Sequence, residues 1–239
     1  MRALIFNSGV GRRLGAFTRA HPKALLRLPD GESIFARQLR LLGAAGVDDI
    51  VVTTGPFPEQ LADVAAGMGA PVRFVPNPDF ATTNYLVSFA LARPLVDGDD
   101  LLLLHGDLVF EGGVAPGLLA DPRPDLVAVD ATAPLPDKDF TAIVEDGIVR
   151  RIAVGAHGPG AVACQPLYKL SRRALVVWLD AVDALVAQGR TDVYAEDALN
   201  AVARTAAIRP FSHAGLLLAE IDDMADLARV GAALQRRAG

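Results

Sequence analysis

The sequence predicts an α/β protein, a three-layer α/β/α arrangement around a mixed, mostly parallel central sheet. Three observations carry that prediction. Apolar runs too short for helices recur along the chain, among them Ala3-Leu4-Ile5-Phe6, Ile50-Val51-Val52-Thr53 and Leu101-Leu102-Leu103-Leu104. Stretches with helical apolar spacing lie between such runs, at the intervals of strand–helix–strand units. The runs are apolar at consecutive positions, as expected of strands covered by helices on both faces.

Composition narrows the class. A chain of 239 residues with 51% hydrophobic and 21% charged content can bury a substantial core, and one domain over residues 1–239 is expected. The net charge of −5 and the pI near 5.3 argue against a nucleic-acid binder, whose affinity would rest on a basic surface. Cys164 is the single cysteine, so the chain cannot form an internal disulfide or a cysteine-rich metal site, and a reducing cytoplasm fits. The chain enters a strand almost at once, without a basic-then-apolar leader, and no apolar run approaches bilayer-spanning length. A cytoplasmic protein without membrane contact is expected.

The first strand runs into Asn7-Ser8-Gly9-Val10-Gly11-Arg12-Arg13-Leu14-Gly15, followed by Thr18 and the pair Pro22-Lys23. Gly9 and Gly11 permit positive φ and close backbone approach, so that successive N–H groups can converge on phosphate oxygens. Arg13 offers a bidentate fork and Lys23 a compact point charge, while Pro22 fixes the backbone just before the lysine. A dinucleotide turn would place a third glycine at Leu14, and no Gly-Lys-Ser/Thr loop occurs. An ordinary strand–helix turn would explain a bare Gly-x-Gly; Arg13, Thr18 and Pro22-Lys23 turn the reading toward phosphate.

The segment 24–28 reads as extended and closed by the turn Pro29-Asp30-Gly31, after which Ser33 caps an amphipathic helix ending at Gly43 or Gly46. A second strand at 50–53, a helix at 58–68 and a third strand at 72–75 follow. The polar stretch 77–85 feeds a helix whose one face would present the Asn84 amide and the Ser88 hydroxyl, groups able to read the edge of a base; Asn77 reads as a loop cap. The strand at 101–104 ends in His105-Gly106-Asp107. That puts a carboxylate at the crevice where open α/β sheets bind ligands, and Asp107 becomes a candidate magnesium ligand, with His105 read as structural.

A strand at 125–130 precedes a polar excursion at 134–140. Within it, Lys138 either meets a second substrate's phosphate or is solvated, and Asp139 either partners a cationic head group or serves the turn. Segments 142–145 and 148–154 around Asp146-Gly147 carry a hairpin signal, which makes the sheet mixed. A late strand at 160–168 leads into a helix from Ser171 to about Gln188 with Trp178 in the core. Asp192, Tyr194, Glu196 and Asp197 read as a pocket for a positively charged group or, equally, as an acidic helix N-terminus. The stretch 216–223 is a strand ending in acids, where Asp222 and Asp223 are also possible caps of the last helix, 224–237. That helix could pack internally or against another subunit, so a homodimer is open.

The pattern Gly-x-Gly-x-Arg-Leu, then Thr18, then Pro22-Lys23-Ala24-Leu25, resembles the signature loop of nucleotidyltransferases that join a nucleoside triphosphate to a phosphorylated small molecule. These include the sugar-1-phosphate nucleotidylyltransferases and the bacterial choline-phosphate cytidylyltransferases. The chain departs from the pattern at Asn7-Ser8, where two alanines are commoner, and at Gly15-Ala16-Phe17, where a proline is usual. Asn84-Tyr85-x-x-Ser88, Gly106-Asp107, Tyr194-Ala195-Glu196-Asp197 and Glu220-Ile221-Asp222 follow in the order of the choline-phosphate and phosphonate group.

The resemblance implies a Rossmann-like nucleotidyltransferase fold and a CTP-dependent transfer of CMP, with Mg2+, to phosphocholine or an aminoalkylphosphonate. It implies catalytic roles for Lys23 and Arg13, and nucleotide contacts from Asn7, Ser8, Gly9, Gly11, Arg12, Asn84 and Ser88. Asp107 and Asp222 would hold the metal, and Lys138, Asp139, Tyr194, Glu196 and Asp197 the acceptor. A sugar-1-phosphate enzyme and a non-catalytic nucleotide-binding domain are the competing expectations.

Overall fold

A computed structural model describes residues 1–213 and 215–238. The first strand, β1 (Arg2–Asn7), leads through the loop and three single 3-10 turns into α1 (Ile34–Ala44), β2 (Asp49–Thr54), α2 (Pro58–Gly67) and β3 (Val72–Pro76). Next come α3 (Tyr85–Val96), β4 (Leu101–His105), the short β5 (Leu108–Phe110), α4 (Val114–Ala120) and β6 (Leu126–Asp130). The hairpin β7 (Phe140–Glu145) and β8 (Ile148–Val154) precedes β9 (Ala161–Leu170), α5 (Arg172–Ala187), α6 (Ala195–Ala201) and α7 (Ala203–Ala206). The order closes with β10 (Arg209–Ser212), β11 (Leu218–Glu220) and α8 (Met224–Ala238).

The central sheet runs β10-β6-β9-β4-β1-β2-β3, with the β7–β8 hairpin attached through β7 to β9. Strands β1, β2, β3 and β4 are mutually parallel, and β9 runs antiparallel to β4 and β6. The mixed, mostly parallel sheet and its flanking helices thus agree with the sequence. Period-two alternation divides the core: Leu4, Phe6, Leu101 and Leu103 face one side with Trp178, while Ala3, Ile5, Leu102 and Leu104 face the other with Phe35. Trp178 is fully buried and donates its indole N–H to the Ala195 carbonyl, as befits a core residue.

Local signals match in detail at several places. Ser33 and Ser171 accept from the N–H groups of Ala36 and Ala174 at the starts of α1 and α5. Asp146 and Gly147 both adopt positive φ between β7 and β8, the backbone that a two-residue hairpin demands. Elsewhere the structure differs. Residues 23–25 form a 3-10 turn, and extension begins only near Arg27, which bridges Ser33. The strand expected at 216–223 is confined to Leu218–Glu220 because it pairs only with the three-residue β5. The last helix packs inward, with Val230 buried and Leu227 and Leu234 against Ile221 and Leu28.

The topology fixes where a ligand can sit. From β1 the chain passes to β2 and β3 on one side, whereas β4 returns to the other, so the strand order reverses at β1. The loops after β1 and β4 diverge there and leave a crevice at the carboxyl ends of the strands. No helix among the described residues is long and apolar enough to cross a membrane.

Candidate active site

The loop after β1 supplies the cationic wall. Gly11 sits at φ 64°, and a Cβ there would come within 3.1 Å of both Lys23 Cβ and Thr18 Cγ2, so glycine lets these side chains close over the loop. The Thr18 hydroxyl donates to the Gly11 carbonyl at 3.0 Å and pins the turn. Gly9 departs from expectation: its φ is not positive and a Cβ there would meet no protein atom. The turn itself therefore does not call for glycine at that position.

Asp107 is held from two directions. Gln38, buried on α1, donates to the carbonyls of His105 and Leu108 on either side of it, both at 2.9 Å. The N–H of Ile221 donates to the Asp107 carbonyl at 3.1 Å, which brings the end of β11 alongside and sets Asp222 next to Asp107. Asp223, not Asp222, caps α8, accepting from the N–H groups of Ala225 and Asp226. The Asp222 side chain is thereby left for the crevice.

Across this pair of acids lies Lys23. Its ammonium is 2.7 Å from Asp107 Oδ2 and 2.5 Å from Asp222 Oδ1, and Arg13 reaches the other Asp222 oxygen at 3.1 Å. Burial alone would lower the Lys23 pKa, but the two carboxylates more than offset it and push it above its ordinary value. Burial likewise works against the Asp107 carboxylate, and Lys23 and His105 reverse that and hold its pKa below the usual range. Asp107 Oδ1 is buried without a partner among the described residues.

Two lobes open from this centre. One, of about 360 Å³, lies between the loop and the 77–85 segment and is lined by Ser8, Arg12, Asn77, Phe80, Thr83 and Asn84. The other, of about 320 Å³, is lined by Arg13, Lys138, Asp139, Phe140, Tyr194, Glu220 and Asp222. Gly9, Gly11, Arg12, Asn84, Tyr85, His105 and Asp107 border both. In the second lobe three rings converge: Tyr194 lies 5.4 Å from Phe140 and 5.9 Å from Tyr85, centroid to centroid.

Several expected contacts have other partners. Asn84 caps α3, accepting from the Tyr85 N–H while its amide donates to the Asp192 carbonyl, so its polar atoms serve the fold even as it borders both lobes. Ser88 is fully buried behind the first lobe, where its hydroxyl meets Ser8 Oγ at 2.6 Å and accepts from Asn77. Asn7 is buried too, with its carboxamide against Gly106, and lines neither lobe. Glu196 is buried between the hydroxyls of Tyr85 and Tyr168, and Asp197 accepts from the Tyr194 N–H at the start of α6. Of the cluster at 192–197, Tyr194 alone lines the cleft. Lys138 lines it while paired with Asp223 at 2.8 Å.

Sequence reasoning missed the pair His105 and Glu220. His105 Nδ1 lies 3.6 Å from Glu220 Oε1, and His105, Asp107 and Glu220 offer ligand atoms within 4.8 Å of one another. Burial pushes the Glu220 carboxyl up to about 7, partly countered by His105. The signal was present in Glu220-Ile221-Asp222, since alternate residues of a strand end share a face.

A cationic loop thus faces strand-end carboxylates across the crevice. Residues 3–201 match the model of the MobA-like NTP transferase domain, and the chain belongs to that family. It is 34% identical over 241 residues to the CMP-5'-(3-aminopropyl)phosphonate synthase of Streptomyces rubellomurinus, a match covering 95% of this chain and 37% of that protein. The choline-phosphate cytidylyltransferase of Streptococcus pneumoniae is 32% identical over 108 residues, 43% of this chain and 46% of that one. The chain thus spans less than half the length of either relative in these matches. In fold it superposes on the solved CTP:phosphocholine cytidylyltransferase from Streptococcus pneumoniae with a TM-score of 0.82 at 18% identity, covering 98% of both chains.

Proposed function

We propose that residues 1–239 form one catalytic domain that transfers CMP from CTP to a small acceptor bearing a phosphate or phosphonate and an amine, releasing pyrophosphate. The carrying observation is the meeting of Lys23 and Arg13, from the N-terminal loop, with Asp107 and Asp222, from two distant strand ends. The named relatives, a CMP-phosphonate synthase and a choline-phosphate cytidylyltransferase, support cytidine as the base and an aminated acceptor. The setting for such a protein is the cytoplasm.

In this reading the triphosphate lies on the loop, where amides of residues 9–13 and the Arg12 and Arg13 guanidinium groups receive its β- and γ-oxygens. The base enters the lobe at 77–85. An acceptor oxygen attacks the α-phosphorus; an O–P bond forms, the bond to the bridging oxygen of pyrophosphate breaks, and its electrons leave with pyrophosphate. An ionised phosphate or phosphonate oxygen is already a nucleophile, so no covalent enzyme intermediate is needed. The protein's task is to align two anions and stabilise developing charge. Lys23 supplies that charge at the α-phosphate.

The oxygen donors of Asp107 and Asp222, with the unpartnered Asp107 Oδ1 between the lobes, fit a hard divalent ion such as Mg2+. When bound, that ion would screen the repulsion between the two anionic reactants. The acceptor's amine fits the second lobe, where the rings of Tyr85, Phe140 and Tyr194 and the acids Asp139 and Glu220 attract a cation and Lys138 flanks its phosphoryl end. This combination of rings and acids favours an aminated acceptor over a sugar phosphate.

The deciding assay mixes the protein with CTP, Mg2+ and, separately, 3-aminopropylphosphonate, 2-aminoethylphosphonate, phosphocholine and glucose-1-phosphate. Pyrophosphate release with an aminated acceptor is expected. Release only with the sugar phosphate, or none with any acceptor, overturns the proposal.

A further inference from the structure

The acidic pair already holds a cation, and that cation is part of the chain. Three of its four carboxylate oxygens face a positive side chain: Asp107 Oδ2 and Asp222 Oδ1 face the Lys23 ammonium, and Asp222 Oδ2 faces Arg13. Lys23 is the better placed of the two, with a side chain only 13% exposed against 59% for Arg13. A divalent ion arriving at the same acids would meet a resident positive charge at hydrogen-bond distance. Repulsion between like charges at that separation, in a partly buried site, is strong.

For Lys23 to leave, its ammonium needs another anion within reach, because an unpaired charge in a site so little exposed is costly. Of the two anionic reactants in the proposed reaction, the one whose loop lies against the lysine is the nucleotide, through its polyphosphate: Gly11 would carry its Cβ 3.1 Å from Lys23 Cβ. One side chain therefore sits where two ligands compete for it and for its partners. Binding of either ligand must then depend on the other, and by linkage the dependence is mutual.

We propose that Lys23 is the resting counter-ion of Asp107 and Asp222, keeping divalent metal off the acidic pair until a nucleotide's phosphates draw the lysine away. The release step rests on the nucleotide-binding reading above; the exclusion of metal does not. Metal entry is thereby tied to the presence of the other substrate. Idle occupation of the site by metal alone is suppressed.

The test uses Mn2+ as the probe, followed by electron paramagnetic resonance on the full chain without nucleotide. Wild type is expected to bind it weakly, Lys23→Met about tenfold or more tightly than wild type, and Lys23→Arg like wild type. The double variant Lys23→Met with Asp222→Asn should lose the gained affinity, which locates the ion on the pair. Equal Mn2+ affinity in wild type and a folded Lys23→Met overturns the proposal. Should Lys23→Met not fold, the Lys23 ammonium signal in 15N NMR of wild type decides. With EDTA present, CTP should shift that signal, and a CTP-saturated protein with the signal unmoved overturns the release step. Failure to bind CTP at all would instead sink the functional reading, while the Mn2+ comparison would still decide whether Lys23 excludes metal.

Discussion

At the scale of single residues, charge placement governs what the site can do. Lys23 is the side chain on which both the electrostatics and the proposed chemistry turn, so Lys23→Ala is expected to lower kcat by about 100-fold or more while circular dichroism shows a folded protein. Unchanged turnover in a purified Lys23→Ala protein would remove the lysine from the mechanism. Glu220 gives a second prediction, on stability. Its folded-state pKa, raised to about 7 from an ordinary value near 4.5, means the native state binds the proton more tightly than the unfolded chain. That contribution is fully present below about pH 4.5 and is lost as pH rises through about 7. His105, also raised once its acidic neighbours offset burial, changes stability in the same direction. Urea unfolding of metal-free protein should therefore show wild type losing stability relative to Glu220→Gln between pH 5 and pH 7; parallel profiles would refute the assignment.

At the scale of elements, the loop and the helix starts carry separate duties. Gly11→Ala would force a left-handed alanine and press its methyl group on Lys23 and Thr18, costing about 1–2 kcal/mol and displacing the lysine. The expected outcome is a larger loss of turnover than of stability. Ser171→Ala removes the cap of α5, far from the cleft, and should cost about 1 kcal/mol in unfolding assays with kcat unaltered. Glu196 shows how one motif can serve packing in place of ligand contact. It accepts from two tyrosine hydroxyls and thereby fixes Tyr85, whose ring borders both lobes, so it shapes the cleft without entering it.

At the scale of the whole molecule, the site draws on both ends of the chain, and ligand binding should stabilise it as a unit. CTP with Mg2+ at about 100 times their dissociation constant should add about 2.7 kcal/mol, raising Tm by about 5–10 °C. In Asp222→Asn the part of that rise due to Mg2+ should vanish. Scanning fluorimetry with CTP alone, Mg2+ alone and both would show it, and an undiminished response in the variant would place the metal elsewhere. The match to the family ends at residue 201, whereas Glu220 and Asp222 come later. The end of β11 and the turn that follows it therefore complete the cleft from outside the matched region.

The sequence by itself determined the alternation of strands and helices, the hairpin at Asp146-Gly147, the Ser33 cap and the burial of Trp178. Each follows from local backbone preference or from apolar periodicity, which neighbours along the chain decide. The resemblance to nucleotidyltransferases, not the residues alone, singled out Asp222 beside Arg13, Lys23 and Asp107, and in the structure these four side chains meet. What tertiary structure alone decided was which polar groups remain available. Asn84, Ser88, Glu196 and Asp197 look from the sequence like ligand contacts, yet each is engaged by a fold partner: a helix start, a buried hydroxyl or two tyrosines. Conversely, His105 and Glu220 face each other only because β11 pairs with β5 beside the end of β4. A hydrogen-bonding group is claimed by whatever lies nearest in space, and for side chains separated by a hundred residues that neighbour is set by strand pairing.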